Sequence, residues 1–111
     1  MRKIVLFCSL AMLGTHAVAE EDSRSLEKKA MNRDYQAQRN LAYAYQTGEL
    51  GAPKDFWQAC VWRTVIVYSG DASVDRSDAS NLDYACNKLP PTEKVAATEK
   101  GLALAKRLYK R

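Results

Sequence analysis

The sequence predicts an all-α fold of two consecutive antiparallel helical hairpins, about four helices in all. Three observations predict it. Apolar residues recur at three- and four-residue steps through most of the chain, the period of one helix face. Turn signals built on Gly or Pro interrupt that period at residues 47–54, 69–71 and 90–91. The connections between the periodic segments are short, which makes neighbouring helices antiparallel.

The N-terminus stands apart from this pattern. Arg2 and Lys3 form a charged start, residues 4–14 an apolar run, and Ala17-Val18-Ala19 a small-x-small cleavage site. Residues 1–19 are therefore expected to be a cleaved signal peptide. The apolar run is shorter than the roughly 20 residues that span a bilayer. An uncleaved anchor is the alternative. A lipoprotein signal through Cys8 is disfavoured by bulky Phe7 and by the apolar run continuing past the cysteine. Cleavage leaves residues 20–111, one domain of 92 residues with no transmembrane segment. Its expected location is the bacterial periplasm, or the medium if secreted.

Export changes the cysteine and charge arithmetic. Cys8 leaves with the signal, and Cys60 and Cys86 remain. An even pair in an oxidising compartment predicts a disulfide. It would close a loop of 26 residues and contribute on the order of 3 kcal/mol. Two buried free thiols are the alternative. Removing Arg2 and Lys3 leaves 15 basic against 13 acidic side chains, a balance of +2. That is too small to argue for nucleic acid.

The elements follow in order. Residues 20–25 are a polar lead-in. From Leu26, the positions Leu26, Ala30, Ala37, Leu41, Ala44 and Tyr45 fall near one face. Asn32 to Asp34 is a candidate break, dividing this stretch into a short helix and a main one. Gly48 suits a left-handed C-cap. Asp55 caps the next helix, with Gln58 at the capping-box spacing. That helix carries Ala59, Cys60, Trp62, Val65 and Ile66. Its end, Val65-Ile66-Val67-Tyr68, is β-branched enough to suggest a strand, but the helical spacing and the cap outweigh it. A third helix begins near Asp75, with Ala79, Leu82, Cys86 and Leu89 as its stripe, and Pro90-Pro91 stops it. Thr92 is expected to cap a fourth, with Val95, Leu102, Ala105 and Tyr109 on the apolar side. Lys106, Arg107, Lys110 and Arg111 complement its C-terminal dipole.

The domain offers no catalytic, cofactor or metal constellation. The one histidine, His16, leaves with the signal. No CxxC and no Gly-rich phosphate loop occurs. Asp75, Asp78 and Asp83 lack calcium-loop spacing and read as helix-start charges on a solvated face. Ser25-Leu26-Glu27-Lys28 has the Ser-x-x-Lys spacing, but it stands at the start of the domain with no partner motif.

The central stretch resembles a Sel-one-like repeat, a branch of the tetratricopeptide-like helical repeats. Ala30 stands at the opening alanine and Ala37-Gln38 at the AQ pair. Leu41-Ala42 stands at the LG pair, and Tyr45 and Gly48 follow in register. Asp55, Ala59 and Trp62 match the second helix, and Gly70 closes the unit. Ala42 replaces a usual glycine, Gly51-Ala52 is shifted, and Val65-Ile66 replaces a small alanine pair. The repeat spans residues 30–70, somewhat under half of the domain, and residues 75–110 would be a degenerate capping hairpin. The resemblance implies a repeat core of Ala37, Leu41, Ala42, Tyr45, Gly48, Ala59 and Trp62. It also implies that the first helix lines a binding surface. Opposite Leu41 that helix carries Asn32, Gln36, Arg39, Tyr43 and Gln46. Tyr and Arg are residue types enriched at interface hot spots, so Gln36, Arg39, Tyr43 and Gln46 are the candidate partner-binding residues.

The resemblance implies a non-catalytic protein–protein interaction module with a protein partner. The alternatives are an immunity-type inhibitor of an envelope toxin, or a β-lactamase- or penicillin-binding-like envelope protein, to which some cysteine-bearing relatives of the repeat are linked.

Overall fold

A computed structural model describes residues 22–110, and the signal peptide expected at residues 1–19 lies outside them. The described residues form five helices and no strand: α1 Ser23–Met31, α2 Tyr35–Thr47, α3 Phe56–Val67, α4 Arg76–Cys86 and α5 Pro91–Tyr109.

Four of the five helices start on an aspartate. Asp22, Asp34, Asp55 and Asp75 each accept a hydrogen bond from the backbone N–H three residues on, at 2.9–3.1 Å. Each bond satisfies a donor that helix geometry would otherwise leave open. The fifth start is different. Pro91 is itself the first helical residue, where its missing N–H costs nothing. Thr92 is therefore inside the helix and is not the cap expected of it.

The break at residues 32–34 separates α1 from α2. Arg33 N–H donates to Ala30 O at 3.1 Å and Asp34 N–H to Lys29 O at 3.1 Å. This is the Schellman pattern, and Arg33 takes its left-handed position with φ 69°. Asp34 then caps α2 at once, so the chain turns a corner in three residues. Gly48 ends α2 in the left-handed conformation, φ 79°. The following loop is tied down at both sides, by Asp55 N–H to Tyr45 O and Ser23 N–H to Leu50 O, each 2.8 Å.

Helix α3 is the centre of the molecule. It packs against α2, α4 and α5, while α1 leans on α2. Every residue from Ala59 to Ile66 is buried. The expected amphipathic second helix is thus buried on all sides, because three neighbours surround it. α4 and α5 are consecutive but barely touch, and each lies on α3 instead. One core cluster joins Leu26, Ala30, Ala37, Leu41, Ala42, Trp62, Val65 and Ala105. A second joins Cys60, Val61, Cys86 and Ala97, with Trp57, Leu82 and Leu89 at its edge. Cys60 and Cys86 are disulfide-bonded, pinning α3 to α4 with Cα atoms 4.7 Å apart.

One expected stripe is rotated, and a second, Leu82 and Cys86 on α4 with Leu89 just beyond it, holds except at its first residue. On α5, Val95 and Leu102 are exposed, and the buried face is Ala97, Gly101 and Ala105. Small residues win this face because α5 lies very close to α3. A Cβ on Gly101 would stand 2.6 Å from Thr64 Cβ and 2.7 Å from the Val61 carbonyl oxygen. On α4, Ala79 is exposed, and Asp78 is buried.

A candidate binding groove beside a buried charge cluster

The outer face of α2 repeats polar side chains at helical spacing: Gln36, Arg39, Asn40, Tyr43 and Gln46. These five line one groove with Arg63 of α3 and Asn81 of α4, enclosing about 320 Å³. All four residues expected to bind a partner, Gln36, Arg39, Tyr43 and Gln46, are therefore together. Asn32 is not with them. It caps α1 and lines a separate hollow with Arg24, Glu27, Lys28 and Met31.

Tyr43 is about half exposed. Gln36 Nε2 donates to Asn40 Oδ1 at 3.0 Å, one helical turn on. Gln46 Oε1 accepts from Arg63 Nε at 2.7 Å, which fixes the inner wall. Arg63 is only 4 % exposed. Burial, and then the neighbouring Arg39 charge, pull its basicity down to about 10.

Beneath the groove lies an acid. Asp78 accepts from Tyr35 Oη at 2.6 Å and from Asp75 N–H at 3.1 Å, both on Oδ2. Its Oδ1 faces Arg39 Nε at 3.3 Å, an ion pair whose alignment falls short of a hydrogen bond. Asp78 thus performs the helix-start role expected of it, completing a capping box with Asp75. It is not on a solvated face: its side chain is fully buried, because α2 closes over it. Arg39 also stacks over the Tyr35 ring, 5.6 Å from its centroid. Burial and the bond to Asp78 push the Tyr35 phenol up to about 12.

Arg63 and Asp78 were not among the expected site residues. Arg63 had a visible signal, a lone charge inside the apolar run from Ala59 to Ile66. A charge there must be paired or reach solvent. The pairing of Asp78 with Tyr35 and Arg39 spans 43 and 39 positions and leaves no local sequence trace.

Another cavity, of about 600 Å³, lies along α5. It is walled by Tyr68 and by Glu99, Leu102, Ala103, Ala105 and Lys106 of α5. It is mostly apolar and holds none of the expected residues. Among the described residues no three His, Cys, Asp or Glu side chains converge as a metal site would need. No helix among them is long and apolar enough to cross a membrane.

No protein-family model, curated protein or solved structure matches this chain.

Proposed function

We propose that this protein is a non-catalytic protein–protein interaction module of the bacterial envelope, built on a Sel-one-like helical hairpin and exported by its N-terminal signal. The observation that carries the reading is the groove. It gathers Gln36, Arg39, Tyr43 and Gln46 from one helix and adds a buried arginine from the next. Aromatic and guanidinium groups beside a desolvated wall are how protein interfaces concentrate binding energy. The positions that carry the repeat resemblance support the hairpin reading. Ala30, Ala37, Leu41, Ala42, Ala59 and Trp62 are buried, Gly48 is left-handed and Asp55 caps α3. The disulfide favours an oxidising compartment.

The test is affinity capture from the native envelope fraction, with wild type and Arg39→Ala/Tyr43→Ala side by side. A dominant partner lost in the double variant is the expected result. A partner retained at full strength would move the binding surface elsewhere. No partner for either protein would count against the reading.

A further inference from the structure

We infer that the groove between α2, α3 and α4 is a carboxylate-recognition site, receiving an Asp or Glu side chain of the protein partner on the Arg63 and Arg39 guanidinium groups. This rests on the interaction-module reading and names the chemistry of the partner.

A guanidinium carries five N–H donors. Among the described residues Arg63 makes one side-chain hydrogen bond, from Nε to Gln46. Its two Nη groups, four N–H donors, have no acceptor among the described residues and open onto the groove, while the rest of the side chain is buried. Leaving such donors empty is costly, and water or a ligand must meet them.

Charge points to which ligand. Among the described residues the groove wall holds two guanidinium groups and no carboxylate. The nearest acid, Asp78, lies beneath it and is shared. Its Oδ2 is taken by Tyr35 and Asp75, and its Oδ1 faces Arg39. Asp75 is at the surface, with its Oδ1 accepting from Ser77 Oγ and Asp78 N–H, and it is not part of the groove wall. Asp78 ion-pairs directly with Arg39 and supports the Arg63 charge only at a distance, so two guanidinium groups share one buried acid. A planar acceptor with two oxygens matches the free Nη edge of the fork.

The rest of the wall suits a peptide around that carboxylate. Gln36, Asn40 and Asn81 carry carboxamides, which donate and accept as a peptide main chain does. Tyr43 offers a flat, half-exposed ring at the rim. The groove's volume admits a side chain and its flanking main chain, not a folded element.

The test is an NMR titration of the purified protein with three probes, watching the Arg Nε–H and the Asn and Gln side-chain signals. The probes are Ac-Ala-Glu-Ala-NH2, Ac-Ala-Gln-Ala-NH2 and inorganic phosphate. The expected result is saturable shifts confined to Arg63, Arg39, Gln36, Asn40 and Asn81 with the Glu peptide, and about tenfold weaker binding of the Gln peptide. Arg63→Met, which keeps an unbranched apolar stem in α3, abolishes the shifts. Arg39→Gln, at a partly exposed position, weakens them. Equal binding of the Gln peptide, scattered shifts, or no saturable shift overturns the inference. Phosphate binding as tightly as the Glu peptide also overturns the choice of carboxylate.

The two readings fail differently. If a captured partner depends on Tyr43 but is indifferent to Arg63→Met and to excess Glu peptide, the module reading stands and the carboxylate inference falls. If the Glu peptide binds at the groove but no protein is captured, the module reading falls and the site remains.

Discussion

Helix α3 meets α5 on one side and α2 with α4 on the other, and the two contacts are built differently. Towards α5, the meeting residues are small. Gly101 faces Thr64 and the Val61 backbone with no room for a methyl group, and Ala97 and Ala105 flank it on the same stripe. Where α2 and α4 meet beside α3, the residues are polar or charged. Asp78 holds Tyr35 and Arg39, and Arg63 holds Gln46, and the two polar groups meet at one groove. The contrast separates two tasks. Close apolar packing fixes one helix against another and leaves nothing over. A polar cluster with a spare cation holds two helices in place and still has donors to offer. The disulfide secures the frame by tying α3 to α4 at the end of α4.

Substitutions on each face of α3 separate the two kinds of contact. The largest effect is expected from the frame. Cys60→Ala/Cys86→Ala should cost about 3 kcal/mol in a denaturant melt, since a 26-residue loop is no longer closed. The same loss should follow from reduction of the wild type. A loss below about 1 kcal/mol would show that packing alone holds α4 on α3.

Next comes the charged side. Asp78→Asn keeps the shape but leaves Arg39 and Arg63 facing each other without a counter-charge. Removing one member of a buried pair is strongly destabilising, and the partial exposure of Arg39 moderates it. About 2–3 kcal/mol is expected. A neutral result would mean that Asp78 serves only as a helix start.

The small-residue side should respond to an addition, not a deletion. Gly101→Ala gains helix propensity of about 1 kcal/mol. The added methyl would collide with Thr64 and with backbone, and overpacking of this kind costs about 1–3 kcal/mol. A net loss of about 1 kcal/mol is expected by thermal or chemical denaturation. A gain would mean that α5 is free to move off α3.

The smallest effect is a titration. The neutral Tyr35 phenol is favoured in the folded state, whereas the unfolded chain ionises near the ordinary value of 10.0. Its contribution is intact below pH 10 and is lost as pH rises towards about 12. A phenolate absorbance titration of wild type minus Tyr35→Phe should therefore isolate one tyrosine that ionises late, near 12. A difference curve centred near 10 would remove the Asp78 bond from the account.

Local features of this fold were legible in the sequence because they depend on neighbours in the chain. The Asp55 cap, the left-handed Gly48, the corner at 32–34 and the α2 face from Gln36 to Gln46 all follow from spacing of four residues or so. The helix at residues 56–67 was legible against its β-branched end because the cap and the earlier spacing agreed. Features that depend on how close two helices come were not legible. On α5 the larger Val95 and Leu102 looked like the core, yet the narrow approach to α3 selects Ala97, Gly101 and Ala105 instead. Asp78 looked like a solvated helix-start charge. Its burial is decided by Tyr35 and Arg39, which the chain brings in from some 40 positions away.

The most direct measurement is site-specific photocrosslinking in the native envelope fraction, with the photoreactive side chain placed at Tyr43 in one protein and at Leu102 in another. Tyr43 marks the charged side of α3 and Leu102 the side covered by α5. A discrete adduct is expected from position 43, lost with Arg63→Met, and none from position 102. An adduct from position 102 with none from position 43 would contradict this and place the working surface on α5.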